Sequence, residues 1–141
     1  MTNERIHESN KAAVLRFNKE VIEQGKEASL RELVAESFVN RSAPPGSPAG
    51  RDAMWFFLGT ILRGAFPDLE VEVHDQVAEG DKVTTRKTIR GTHKGELFGI
   101  APTEKKAEIQ VIDVVRLENG RYVEHWGVNT LSEVIAQLRT S

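Results

Sequence analysis

The side chains of this sequence best suited to acid–base chemistry are Asp113 and His125. They flank Leu117-Glu118-Asn119-Gly120-Arg121, where Asn-Gly between two β-patterned runs signals a hairpin. Two registers are open. A two-residue turn on Asn119-Gly120 sets His125 opposite Val114. A three-residue loop, with Gly120 left-handed in a bulge, pairs Leu117 with Arg121 and sets His125 opposite Asp113. The second register gathers Ile109, Val111, Asp113, Val115 and Leu117 with Val123, His125, Gly127 and Asn129. That face is apolar except for Asp113, His125 and Asn129, and a slip of one residue would mix it with the opposite face. The expectation is therefore an acid and an imidazole facing each other across the hairpin. Burial raises a carboxyl pKa and a protonated neighbour lowers it, so such a pair suits proton transfer at an enolisable carbon. A structural Asp–His hydrogen bond between two half-buried groups is the other reading of the same pair.

Other chemistries find less support. The chain has no cysteine, which removes thiol nucleophiles, disulfides and sulfur-bound zinc. Neither metal-ligand spacing of the His-Glu-x-x-His kind, nor a phosphate loop, nor a serine elbow is present, so no metal and no cofactor are expected. A net charge of −2 without a basic run argues against nucleic acid as a partner. The densest basic stretch, Arg86-Lys87 with Arg90 and Lys94, reads as a solvated strand face. His7 and His74 read as solvated, and His93 as a loop residue. The polar start of the chain lacks a signal-peptide core, and no apolar run approaches the roughly 18 residues of a membrane span. A soluble, cytoplasmic protein that does not engage a membrane is expected.

The elements that must position the pair follow from periodicity. Residues 4–24 carry apolar side chains at helical spacing, with Gly25 as a stop. A short helix follows from Ser29. The Pro-rich stretch 40–50 is a loop. Arg51 to Phe66 reads as a helix, on which Trp55, Phe56 and Phe57 cannot all face one way. After Pro67-Asp68 the period becomes two. Strands are expected over the alternating residues 69–74, over 83–92, over 106–117 and over 121–129, with a closing helix from Leu131 to Leu138. Helices followed by sequential antiparallel strands predict one α+β domain over residues 1–141, a cone-shaped curved sheet packed on N-terminal helices and enclosing a pocket. The outward face, with Ile112, Trp126 and Val128, suits a homodimer contact. Tyr122 is expected on that outward face.

Several short segments carry a resemblance. They are Phe38-Val39-Asn40 before the Pro-rich loop, Ala65-Phe66-Pro67-Asp68-Leu69, Val77-Ala78-Glu79-Gly80-Asp81-Lys82-Val83, Arg90-Gly91-Thr92-His93-Lys94-Gly95, Phe98-Gly99-Ile100-Ala101-Pro102-Thr103 and Asn119-Gly120-Arg121-Tyr122-Val123-Glu124-His125-Trp126. In this order and spacing the chain resembles the SnoaL-like polyketide cyclase family, within the nuclear transport factor 2-like superfamily. The resemblance implies a dimeric α+β cone that closes a ring by intramolecular aldol condensation without cofactor or metal. It also implies a pocket aspartate on the last strand, where this sequence has Gly127, and a pocket histidine where it has Asp113. The resulting expectation is a cyclase-like protein acting on a small apolar cyclic or polyketide-like ligand. Asp113 and His125 would be its catalytic pair, and Trp55, Phe57, Val111, Gly127, Asn129 and Arg86 its ligand contacts. A binding protein of the same fold without chemistry is the alternative.

Overall fold

In the computed structural model, which describes residues 3–140, helices cover one face of an open, curved sheet. Helix α1 (Asn3–Arg16) runs on into π-helical turns over Phe17–Glu23, and α2 (Glu27–Leu33) follows. A second rod runs through α3 (Arg51–Trp55), π-helical turns over Phe56–Leu62 and α4 (Arg63–Ala65). The strands are β1 (Val34–Asn40), β2 (Glu70–Glu79), β3 (Lys82–Thr92), β4 (Lys106–Glu118) and β5 (Arg121–Asn129), and α5 (Leu131–Arg139) closes the chain. The core lies between helices and sheet. Val14, Phe17, Val21 and Ile22 meet Val83, Ile89, Ile109, Val115 and Leu117 there, all buried. Among the described residues no helix is long and apolar enough to cross a membrane.

The sheet has five strands in the order β1-β5-β4-β3-β2 rather than the four that periodicity suggests. The additional strand, β1, runs parallel to β5 and pairs Asn40 with His125. Its burial does not alternate cleanly, so Val34-Ala-Glu-Ser-Phe-Val-Asn40 gives little period-two signal.

The hairpin register differs from both expectations. Asn119 (φ 52°) and Gly120 (φ 75°) form a two-residue turn with both central residues left-handed, the twist-matched solution for adjacent strands. Leu117 therefore pairs with Tyr122. The register then shifts by one residue at Val123, a β-bulge, after which Val115 faces His125 and Asp113 faces Gly127. The bulge restores the parity that the two-residue turn would have reversed. His125, Gly127 and Asn129 thus share the inner face with Val115, Asp113 and Val111, although Asp113 and His125 are diagonal rather than opposite. Tyr122 lies before the bulge and points inward, not outward: it is 2% exposed and stacks on Phe17 with ring centroids 4.6 Å apart.

This stack anchors α1 to the far end of the hairpin. Phe17→Ala should cost about 3–5 kcal/mol, the usual range for a buried aromatic, measured as a lowered urea midpoint at unchanged slope.

Candidate functional site

Three cross-strand rows of the inner face build the site. The first joins Ala78, Val83, Val115, His125 and Asn40. The second joins Gln76, Thr85, Asp113 and Gly127, and the third Val73, Lys87, Val111 and Asn129. Asp113 thus has His125 on one diagonal and Lys87 on the other, a separation that long side chains bridge. His125 Nε2 lies 3.6 Å from Asp113 Oδ2, and Lys87 Nζ lies 3.3 Å from the same oxygen. Asp113 Oδ1 is buried and has no hydrogen-bond partner among the described residues.

Gly127 is what permits the first diagonal. A Cβ at this position would come within 2.9 Å of His125 Cε1 and 3.2 Å of Asp113 Cβ. The imidazole therefore lies across the backbone of Gly127 to reach the carboxylate. A side chain at 127 and the His125–Asp113 approach compete for one space.

Supports from elsewhere fix both partners of Asp113. Asn18, in the π-helical turns after α1, donates through Nδ2 to the Val14 carbonyl (2.9 Å) and accepts from Lys87 Nζ through Oδ1 (2.6 Å). Asn40 closes β1, and its Oδ1 accepts the Ser42 N–H (3.1 Å) and contacts His125 Nδ1 (2.9 Å). Because Oδ1 can only accept, Nδ1 is the donor, and a neutral His125 would then turn an unprotonated Nε2 towards Asp113. The Nε2–Oδ2 approach is attractive only with a proton between the two atoms. The start of the Pro-rich loop also holds β5 directly, with Arg41 N–H on the His125 carbonyl and Gly127 N–H on Ser42 Oγ, both at 2.8 Å.

The electrostatics follow from this packing. Burial pushes the Asp113 carboxyl up, but the Lys87 charge and then the His125 imidazole outweigh it, leaving the carboxyl below its ordinary value. Asp113 is therefore an ionised, desolvated acceptor at neutral pH. Burial, then the Asp113 charge, push the Tyr122 phenol well above its ordinary value, so it stays protonated.

The remaining sequence-derived contacts separate. Val111 lies on the inner face in the row beside Asp113, half-buried against the core. Trp55 and Phe57 are half-buried against the core, while Phe56 between them is 58% exposed. Asn129 is exposed, and its Oδ1 accepts the Leu131 N–H at the start of α5 (2.9 Å). Arg86 corrects its expected role: it points to the outer face and pairs with Asp75 at 3.0 Å. Its neighbour Lys87, expected in solvent, is 4% exposed and turned inward. His93 lies in the loop after β3, as expected, and is fully buried there, with Nδ1 on Thr103. Lys87 was legible from parity, since Val83, Thr85, Lys87 and Ile89 alternate inward. Asn18 and Asn40 carried no comparable signal.

An open pocket was expected around this group. Two clefts, of about 470 and 430 Å³, are lined by Glu36, Gly50 and Arg51 and by Asp68, Arg90 and Lys106 among others, and Asp113 and His125 line neither. Thr85, Lys87 and Asp113 are instead closed in, at 0%, 4% and 7% exposure.

The family model for SnoaL-like polyketide cyclase matches residues 12–138. The chain belongs to this family. No curated protein matches it. Among solved structures, this SnoaL-like chain is similar to wild-type IdmH, a candidate polyketide cyclase from Streptomyces antibioticus, with 32% identity, a TM-score of 0.79 and coverage of 93% of this chain and 99% of that one. It is also similar to AclR, a candidate hydroxylase from Streptomyces galilaeus, with 26% identity, a TM-score of 0.81 and coverage of 94% and 82%. A candidate SnoaL-like polyketide cyclase from Jannaschia sp. CCS1 shares the fold, with a TM-score of 0.86 at 22% identity and coverage of 100% and 99%.

Two outcomes test this electrostatic arrangement. Lys87→Met should cost about 3–5 kcal/mol at pH 7, because it strands a buried carboxylate. A carboxyl held lower in the folded than in the unfolded chain contributes stability that is full above its unfolded pKa of about 3.9 and is lost as pH falls through the folded value. Without Lys87, burial lifts the carboxyl above its unfolded value, so the gap between wild type and Lys87→Met should narrow as pH falls through that raised value and go on narrowing down to the wild-type folded value in denaturant titrations. Gly127→Ala should cost about 1–3 kcal/mol by overpacking and should move the His125 ring resonances in the NMR spectrum.

Proposed function

We propose that this SnoaL-like protein carries out acid–base chemistry of the aldol type on a small, largely apolar, polyketide-like substrate, with Asp113 as base and His125 as its proton partner. The observation that carries this reading is the asymmetry of the Asp113 carboxylate. Oδ2 is held by Lys87 and His125, while Oδ1 is buried with no partner among the described residues. A desolvated lone pair fixed by its neighbours is what proton transfer from a substrate requires. Asp113 accepts the proton whose loss creates the enolate. The enolate carbon attacks a second carbonyl of the same molecule, and the oxygen formed takes the proton held at His125 Nε2. Lys87 keeps the carboxylate ionised until it takes the proton, and Asp113 then returns that proton to His125. Trp55, Phe57 and Val111 supply apolar contact for the rest of the substrate.

Family membership supports this chemistry, and the site offers a route to it that does not need an acid at position 127. Asp113→Asn keeps the shape and removes the base. It should lower turnover of a linear polyketide-type substrate by at least about 10²-fold, the lower end for general base catalysis, with little change in ligand affinity. Retained turnover would remove Asp113 from the mechanism. Binding without turnover in the wild type would favour the carrier reading of the same fold.

We also propose a homodimer through the outer sheet face. Ile112 and Val128 pair across β4 and β5 there and are 48% and 69% exposed, beside the Val114–Trp126 pair. Exposed apolar sheet of this kind marks an interface. Light scattering at micromolar concentration should give twice the chain mass, and Val128→Glu should reduce it to one.

A further inference from the structure

A second orphan lies beside the first. Thr85 Oγ1 is buried without a hydrogen-bond partner among the described residues, and Thr85 is the residue directly opposite Asp113 on β3. Thr85 is 0% exposed. Two unpaired polar atoms on facing residues of an otherwise packed sheet are costly, since each buried unsatisfied group forfeits its water bonds with nothing in return. Opposed residues have Cβ atoms about 4.5–5.5 Å apart, so a single oxygen admitted between the two side chains would be within hydrogen-bond reach of both.

We propose that Thr85 Oγ1 and Asp113 Oδ1 together seat one hydroxyl group of the ligand, and that the seat selects the enol form of the substrate. The donor–acceptor complement points to a hydroxyl. Asp113 as a carboxylate only accepts, so the ligand must donate to it, and the Thr85 hydroxyl is free to donate to the same ligand oxygen. The charge points to a neutral ligand, because Lys87 already balances Asp113 at 3.3 Å. An ether or an unenolised ketone satisfies Thr85 but leaves Oδ1 unpaired. A carboxylate ligand would repel it.

This inference rests on the acid–base reading and refines its first step. The proton taken is oxygen-bound. It passes from the enol to Asp113 Oδ1, and the O–H pair becomes the new carbonyl π bond. The enol C=C pair forms the carbon–carbon bond to the acceptor carbonyl. That carbonyl's π pair moves to its oxygen, which takes the His125 proton, and Asp113 then returns its proton to His125. An oxygen-bound proton suits a carboxylate whose surroundings hold it low, where removal of a carbon-bound proton would ask for a stronger base. The Thr85 hydroxyl stays on the same oxygen as charge develops there. It is a specificity residue that touches the substrate.

The test uses a matched pair of probes and needs no turnover. 4-Ethylphenol is an aromatic enol, and 4-ethylanisole keeps its shape and oxygen but lacks the proton. In NMR titrations the wild-type protein should bind the phenol about tenfold tighter, the worth of one buried hydrogen bond. Thr85→Val should erase that preference while its melting temperature holds or rises, because the variant removes an unpaired buried hydroxyl. Thr85→Ser should restore the preference. Equal binding of the two probes by the wild type would overturn the seat, as would a preference that survives in Thr85→Val. Equal binding is also the result expected if only a buried water occupies the gap. A protein that discriminates the probes yet turns nothing over keeps the seat and loses the catalytic reading.

Discussion

The burial of one carboxylate organises this molecule. A bare carboxylate in an apolar interior costs several kcal/mol, so Asp113 is tolerable only with compensating charge and hydrogen bonds at hand. The Lys87 charge is the largest compensation, and His125 adds to it. Each compensator then needs its own support, and the supports come from distant parts of the chain. Asn18 reaches Lys87 from the π-helical turns after α1. Asn40 reaches His125 from the end of β1. Wider π-helical turns recur at functional sites because they redirect side chains that regular helix would send elsewhere. The first helix, the parallel edge strand and the Pro-rich loop are thus tied to the same carboxyl group.

The same requirement accounts for the sheet's irregularities. A two-residue turn on Asn119-Gly120 suits the strand twist but gives the wrong parity for an inward His125. The bulge at Val123 corrects it. The hairpin thereby combines a favourable turn with the face pattern that the site needs, and Tyr122 on the turn side of the bulge stays inside to stack on Phe17.

Much of this was legible in the sequence, for identifiable reasons. Alternation over β2 to β5 and helical spacing at both rods gave the α+β order, and the six short segments gave the family. The shared inner face of Val111, Asp113, Val115, His125, Gly127 and Asn129 was read correctly because polarity, not the turn, determined it. What escaped depends on tertiary context. β1 covers too few alternating residues to announce itself, and its partner lies at the other end of the chain. Lys87 was masked by Arg86, since two adjacent cations look like one solvated patch until strand parity divides them. Asn18 and Asn40 are ordinary amides whose roles exist only through their partners. Asn129 shares the inner face as expected, with its Oδ1 on the start of α5, and Arg86 points to the outer face, where it pairs with Asp75.

Gly127 has a consequence for how such a site can change over evolutionary time. The His125 ring occupies the volume that a residue-127 side chain would need, and it contacts the carboxyl that stands on the neighbouring strand. An acid on β4 and an acid on β5 are therefore alternatives that exclude each other, not additive improvements. A lineage passing from one to the other must alter positions 113 and 127 together, or cross an intermediate with a clash or with no acid at all. Substitutions at these positions are expected to be strongly epistatic, so each arrangement, once established, resists single-step replacement by the other.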